Sequence, residues 1–559
     1  MSVKVNERFS AREIRQYTFK AGLSRSEGGV LELISEAYTY VLGGAVLLVM
    51  SGAIIVGLRH SLGVGNESAL AASALSPGFH SVTLLQASAT VLLTLAAALL
   101  SVEMTVGPIT MTVPQTAWWL GLPVRRRGFI QPGFLLSMVW PAAAAVAVVV
   151  PLTLGLTDNP QPGRILLATL CGIGLGWLLY GVASWCQITN SWRGLRTTAG
   201  LVALVAPLTL VATALYNNAA SPADAITATT TQWLQYLPTS WPLLVADGTY
   251  WPLVVVPAAL IVLGLVYWQL ERITTGKLKA SAAAGAYVAG SLMSMDATAL
   301  SQSLGGGFKA GRSRVRLRLI FRRGTATSRS IKTLISTHAT MALRQPVQLV
   351  RVLVLAAIPA SLASIQFLGN AILIAVVLYL CAHIAATSLG STARFSAGNP
   401  AVDTLMPLPA KTVRRVHYVV PAIGMTLWAI ICFALLHALG VGSWALFALA
   451  VCAGPGLGAA TLRAAFRPTP DWNMPAVSTA MGPIPTGAVR AFLIGPDLSL
   501  IVLLPVLICL IAGGVPYIAF PAQLTLSLLA FLWGTRLRKP KSNKPGGGLL
   551  GMATAPPAK

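Results

Sequence analysis

Long apolar stretches separated by short polar ones run through the whole chain, and within each stretch the apolar positions are continuous rather than alternating. Twelve stretches are long enough to cross a bilayer: 38–58, 82–103, 130–156, 164–186, 197–216, 250–270, 349–368, 371–390, 417–440, 443–462, 496–513 and 516–534. A helix of about 20 residues rises about 30 Å, which matches the hydrocarbon thickness. Barrel strands would alternate with period two, so the pattern predicts an all-α polytopic membrane protein with 12 transmembrane helices. The segment 280–298 is weakly apolar but is not counted as a thirteenth span. Its Ala, Gly and Ser substitute poorly for Leu and Val, and a crossing there would invert every later loop. It is expected as a helix on the membrane surface.

Composition agrees with the pattern. Hydrophobic residues make up 55% of the chain, charged residues only 10%, and the mean hydropathy is +0.72. Soluble domains carry about 25% charged residues, so a single soluble core is excluded. A net charge of +25 would point a soluble chain toward nucleic acid. Here topology explains it. If the chain changes sides at each apolar stretch, all but two of its 40 Lys and Arg residues, Arg59 and Arg164, fall in one compartment. Basic residues are retained in the cytoplasm during insertion, which predicts that both termini are cytoplasmic. The expected setting is the plasma membrane, with basic loops against anionic lipids and no nucleic-acid partner. The basic N-terminus leads into a stretch too long for a cleavable signal, so a signal anchor is expected.

The stretches form two sets of six. The expected division is a cytoplasmic N-terminus with an amphipathic helix (1–36), a first half (37–270), a basic linker (271–330), a second elbow helix and half (331–535), and a basic tail (536–559). Both halves carry a Leu-Pro pair in a basic loop between their second and third spans, GLPVRRRGFIQP at 121–132 and PLPAKTVRRVHYVVP at 407–421. Both have a proline inside the fifth span, Pro207 and Pro505, where a kink is expected because proline removes a donor and crowds the preceding turn. These matches suggest duplication. Before the first half, Arg8, Arg12 and Arg15 share one helical face and Ile14, Tyr17 and Ala21 lie opposite, the pattern of an interfacial helix. Residues 329–351 are the corresponding candidate before the second half, interrupted by Pro346.

Little in the sequence suggests catalysis. All six cysteines lie in or beside apolar stretches, with spacing that suggests neither a disulfide framework nor a zinc site. GGFKAGRS at 306–313 imitates a phosphate-binding loop, but Arg312 stands where its lysine belongs and neither the strand nor the helix context is present. The run Arg312–Arg323 alternates arginine with apolar residues and fits headgroup contact or topology alone. Ionisable residues inside the spans are scarce: Glu103 and Glu271 sit at cytoplasmic ends, and His383 is the candidate well inside a span. The longest outer loop, 217–249, is expected to form short helices in the outer interface; Trp233, Tyr236, Trp241, Tyr250 and Trp251 lie in it or just after it. No cofactor, metal site or enzymatic activity is expected.

The segments GPITMTVPQTAWWLGLPVRRRGFIQPG, APLTLVATALY, FSAGNPAVDTLMPLPAKTVRRVHYVVP and IGPDLSLIVLLP resemble the permease of a type-2 ATP-binding-cassette exporter, in the fused twelve-span form of actinobacteria. The resemblance implies a transport subunit energised by a separate ATPase, in two copies, with the loop after the second span of each half docked on it. By position those loops are about 108–128 and 397–416. The coupling candidates are Trp118, Trp119, Pro123, Arg125, Arg126 and Arg127 in the first half, and Leu408, Pro409, Lys411, Arg414 and Arg415 in the second. The second half departs from the pattern: only 513–517 separates its last two spans, so external helices are expected in the first half alone. Weakly charged spans favour a hydrophobic or amphipathic substrate. A twelve-span secondary carrier and a membrane enzyme acting on lipid-linked substrates are the alternatives; the first lacks coupling carboxylates and the second lacks acidic clusters.

Overall fold

The computed structural model describes residues 10–25, 84–157, 160–189, 191–219, 236–293, 325–365, 370–398, 407–467, 476–479, 482–485 and 493–537, with scattered positions between 45 and 59. Much of the first expected span, the basic run Arg312–Arg323, Trp233 and nearly all of the tail lie outside the described residues. Helix α1 (Ala11–Arg25) precedes the first half. That half contains α2 (Leu84–Val106), α3 (Val113–Trp118), α4 (Arg127–Ser137), α5 (Val139–Leu156), α6 (Pro162–Thr189), α7 (Trp192–Ala219), α8 (Trp241–Ala246) and α9 (Val255–Trp268). Helices α10 (Thr275–Met293) and α11 (Ala326–Leu343) follow, then α12 (Pro346–Ala363), α13 (Ala371–Leu389), α14 (Ser391–Gly398), α15 (Ala410–Ala438) and α16 (Trp444–Ala465). Strands β1 (Ala476–Thr479) and β2 (Gly482–Pro485) pair antiparallel, the one departure from an all-helical chain among the described residues, before α17 (Pro496–Ala512) and α18 (Ala519–Gly534).

Among the described residues, eight helices are long and apolar enough to cross a membrane, which makes this a multi-pass membrane protein. They correspond to the second to sixth and eighth to tenth expected spans. The eleventh and twelfth appear as the shorter apolar helices α17 and α18. The seventh is α12, which meets α11 at 73°. Pro346 does not interrupt one long helix; it opens α12 at a first-turn position, where its missing N–H has no partner to lose. Helix α10 covers most of the segment 280–298 but starts earlier, at Thr275. Pro207 and Pro505 both lie inside unbroken helices, as do Pro132, Pro151, Pro359, Pro421 and Pro455. An internal proline is therefore not peculiar to the fifth spans.

The two halves repeat one packing scheme. In the first, α2 packs on α7, α5 on α6, and α6 on α9. In the second, α13 packs on α17, α15 on α16, and α16 on α18. The halves join where α7 lies against α12, and Leu210, Val211 and Ala214 of α7 enter the same buried cluster as Val352, Leu355 and Ala356 of α12.

The repeat is written in glycines. Helix α6 carries Gly172-Ile-Gly174-Leu-Gly176, and α16 carries Gly454-Pro-Gly456-Leu-Gly458. In a helix, positions i and i+4 share a face and i+2 points about 200° away. A Cβ on Gly172 would stand 2.7 Å from Val149 of α5, and one on Gly176 2.7 Å from the Pro141 carbonyl of α5. A Cβ on Gly174 would meet Val255 and Val256 of α9. The second half does the same: Gly454 and Gly458 abut Thr426 and Ala422 of α15, while Gly456 abuts Val502 of α17 and Ser527 of α18. Each fourth helix is thus held between the third and sixth of its half at backbone-to-backbone range, the close approach that small residues allow in lipid.

Candidate functional site

Several of the described basic residues bind the ends of helices. Lys277 donates to the carbonyls of Gln187 (2.7 Å) and Ile188 (3.3 Å), which joins the start of α10 to the end of α6. Partial burial lowers the Lys277 pKa. Arg59 donates to the Leu154 carbonyl at the close of α5, and the Arg164 guanidinium lies beside Gly248.

The first loop starts where α2 stops. Gly107 takes φ +91°, a conformation costly for other residues, and its N–H still reaches the Glu103 carbonyl. The next residues are clamped. The Gln187 side chain accepts from the Ile109 N–H and donates to the Ile109 carbonyl, both at 3.0 Å. Ser281 of α10 donates to the same carbonyl at 3.3 Å, and the Tyr180 hydroxyl donates to the Pro108 carbonyl at 3.4 Å. Ile109 is fully buried. The loop then forms α3, whose start is fixed by a reciprocal capping box between Thr112 and Gln115. Helix α10 packs on α3, and Leu278 is fully buried there.

These contacts sort the expected coupling residues. Trp119 turns inward and stacks on Phe129 at 5.2 Å. Arg127 opens α4 with its guanidinium 4.3 Å over the Tyr267 ring of α9, a cation–π contact worth about 0.5–2 kcal/mol. Trp118, 77% exposed, and the exposed Pro123, Arg125 and Arg126 form the outward edge. Helix α1 supports this loop from the side. Ala11 and Ile14 pack on it, and Gly128 leaves no room for a Cβ because Ala11 is 2.6 Å away. Ala11 and Ile14 are therefore the half-buried apolar contacts of α1, while Tyr17 is exposed.

The second loop is described from residue 407. Leu408 packs with Leu334, Val413 and Val416, so α11 braces it. Pro409 stands at the N-cap of α15. Arg414 turns inward: its guanidinium lies 3.7 Å over Phe466 and donates to the Gly534 carbonyl, capping the last turn of α18. Arg414 thus ties the third span to the sixth in the second half, as Arg127 does in the first. Lys411 and Arg415 remain exposed. Nearby, Arg463 pairs with Asp497 at 2.6 Å and lies 4.2 Å over Trp533.

His383 of α13 lies 3.2 Å from the Ser499 hydroxyl of α17, an inter-helix contact rather than a free ionisable group. On the opposite face, α8 and the 3-10 turns at Pro238–Ser240 and Trp251–Val254 form the expected short helices, with Trp241 edge-on to Trp251 at 5.2 Å. Gly513, with φ +69°, ends α17, and α18 starts at Ala519 without intervening helices. The cysteines are unpaired, and no group of three metal-binding side chains occurs among the described residues.

The clamp carries little sequence signal of its own. Gln187 and Tyr180 sit in an apolar helix and are marked only by being polar there, and Ser281 lies in a segment of small residues. The glycine triplets, Gly172–Gly176 and Gly454–Gly458, stand in the sequence as a matched pair, a sign of the repeat that the Leu-Pro loops and fifth-span prolines did not include.

No curated protein and no solved structure matches the chain. Residues 79–475 match the model of the Family of unknown function (DUF6297). That match spans most of the chain, from before α2 to beyond α16, and the protein belongs to this family.

Proposed function

We propose that this protein is the membrane subunit of an ATP-driven exporter, a permease of twelve spans in the plasma membrane with both termini and the basic loops in the cytoplasm. A separate ATPase, in two copies, supplies the energy. The observation that carries this reading is the paired construction of the two loops. Each follows the second span of its half, is braced from the bundle, and keeps basic side chains exposed: Arg125 and Arg126 with Trp118 in one, Lys411 and Arg415 in the other. A loop that transmits force must be stiff where it leaves the membrane and open where it meets its partner. Clamping of Ile109 and the anchoring of Arg127 and Arg414 on their sixth spans provide the first property. Arginines suited to acidic groups on a partner provide the second.

Force on either loop would be passed to a block of the third, fourth and sixth spans locked by the glycine triplets, so that each block can rock as a unit. The substrate class is hydrophobic or amphipathic. The test is affinity purification of the full chain from its native membrane in mild detergent. The reading expects co-purification of an ATPase with complete phosphate-loop and signature motifs. A chain that purifies without one and moves substrate on an ion gradient alone is instead a secondary carrier.

A further inference from the structure

Glu103 sits in the last turn of α2, one residue from Val102, which is 46% exposed on the apolar surface. Its carboxyl points the other way, toward α6. One carboxyl oxygen, Oε2, is buried and has no hydrogen-bond partner. The other carboxylate in a spanning helix among the described residues, Asp497, is paired with Arg463 and accepts from the Gly495 and Leu498 N–H groups. Glu103 has no such partner. It lies within electrostatic reach of the Tyr180 hydroxyl, which contacts Ser137 at 2.5 Å and has Ser184 beside it one turn along α6. Leu100, Met104, Ala183 and Ala199 close the surroundings with apolar surface.

Buried there, the carboxyl stays neutral by holding a proton or carries its charge only when something positive comes to it. Its position says when that happens. Helix α2 packs along α7, and α6 packs on α5 and α9, whereas α2 and α6 meet more lightly. The carboxyl therefore lies on the seam between two tightly packed units, at the depth of the leaflet nearest the basic loops. Parting of that seam would present one carboxylate, ringed by hydroxyls and apolar side chains, to molecules dissolved in that leaflet. An anion is disfavoured by the charge, and a multivalent metal by the lack of further ligands among the described residues.

We propose that Glu103 is the recognition group for a cationic amphiphile, a ligand with one positive charge on an apolar body, taken from the inner leaflet between α2 and α6. This names a substrate class for the export reading above and rests on it. Tyr180, Ser137 and Ser184 are positioning residues that hold the polar side of the seam.

The probe is tetraphenylphosphonium, a permanent lipophilic cation, with tetraphenylborate as its anionic counterpart, measured by equilibrium dialysis on the purified full chain in lipid nanodiscs. The expected result is saturable binding of the cation, weakened about tenfold or more in Glu103→Gln, retained in Glu103→Asp, and absent for the anion. Equal affinity in the wild type and Glu103→Gln, or no saturable binding by the wild type, overturns the proposal. A second measurement needs no variant. A hydrophobic carbodiimide should modify Glu103, located by mass spectrometry, and tetraphenylphosphonium should slow that modification. Modification that the cation leaves unchanged, or no modification at Glu103, also overturns it. Both measurements use the chain without an ATPase, so they can fail while co-purification succeeds, and the reverse.

Discussion

Gln187 closes both ways on Ile109: its side-chain amide accepts from the Ile109 N–H and donates to the Ile109 carbonyl, each at 3.0 Å, and so ties the end of α6 to the loop that leaves α2. A glutamine in this role behaves like one more rung of backbone pairing. It satisfies a buried peptide that has no helix or sheet to join, and buried backbone groups left without partners are costly. Gln187→Leu keeps the approximate volume and leaves the Ile109 N–H without its acceptor, at about 1–3 kcal/mol. The expected outcome is a lower unfolding temperature in detergent and faster proteolysis within 120–126, with the helical content unchanged by circular dichroism.

The glycine triplets make a sharper prediction, because the obstruction is backbone. A Cβ on Gly458 would lie 2.4 Å from the Ala422 Cα, and one on Gly176 2.7 Å from the Pro141 carbonyl oxygen. Neither neighbour can rotate away. Gly176→Ala and Gly458→Ala should each destabilise the protein by about 1–3 kcal/mol through overpacking. Gly264→Ala, with nothing within 4 Å of its Cβ, should be neutral or mildly stabilising. Thermal unfolding of the three variants in one detergent compares them directly.

The crossing pattern was legible because each span needs its own continuous apolar run, and continuity survives in sequence. The elbow at 329–351 was legible in part. Its polarity marked an interfacial helix, but Pro346 reads equally as an interruption and as a beginning, and the 73° turn from α11 to α12 decides for the latter. Among the expected coupling residues, charge and position identified the loops but not which side chains turn inward. Arg127 and Arg126 are neighbours of the same type, and only the ring of Tyr267, 140 residues away in sequence, separates their roles. The clamp was not legible for the same reason: Gln187, Ser281 and Ile109 become one feature only when two helices and the loop after α2 meet.

A pH dependence follows from His338. It is buried in α11 with its ring 4.4 Å from that of His417. Burial, and secondarily the neighbouring His417, lower its pKa from the ordinary 6.5 to about 4. The unfolded chain takes up this proton at higher pH than the folded one, so stability from a neutral His338 is complete above about 6.5 and is lost as pH falls through about 4. Unfolding temperatures measured across that range should fall on the acid side, and His338→Phe should flatten the fall. An identical acid-side slope in the variant would assign the loss to other groups.

Topology is open to direct labelling. Single cysteines introduced near 240 should react with an impermeant maleimide added outside intact cells, and those near 126, 310 and 545 only after permeabilisation. Outside labelling at 310 would contradict the assignment of the long basic stretch to the cytoplasm and, with it, the twelve-span arrangement.

The central claim is that an ATPase drives this chain through its two loops, and the most direct measurement removes the exposed charge while leaving the fold intact. Arg125→Gln with Arg126→Gln, and Lys411→Gln with Arg415→Gln, spare the inward-facing Arg127 and Arg414. After co-expression with the ATPase that co-purifies with the wild-type chain, hydrolysis and association are read together for each pair and for the wild type. The purified chain alone should hydrolyse no ATP. Both variants should insert and unfold like the wild type, and each should weaken ATPase association or abolish the stimulation of hydrolysis by the membrane chain. Undiminished association and hydrolysis in both variants would contradict the central claim.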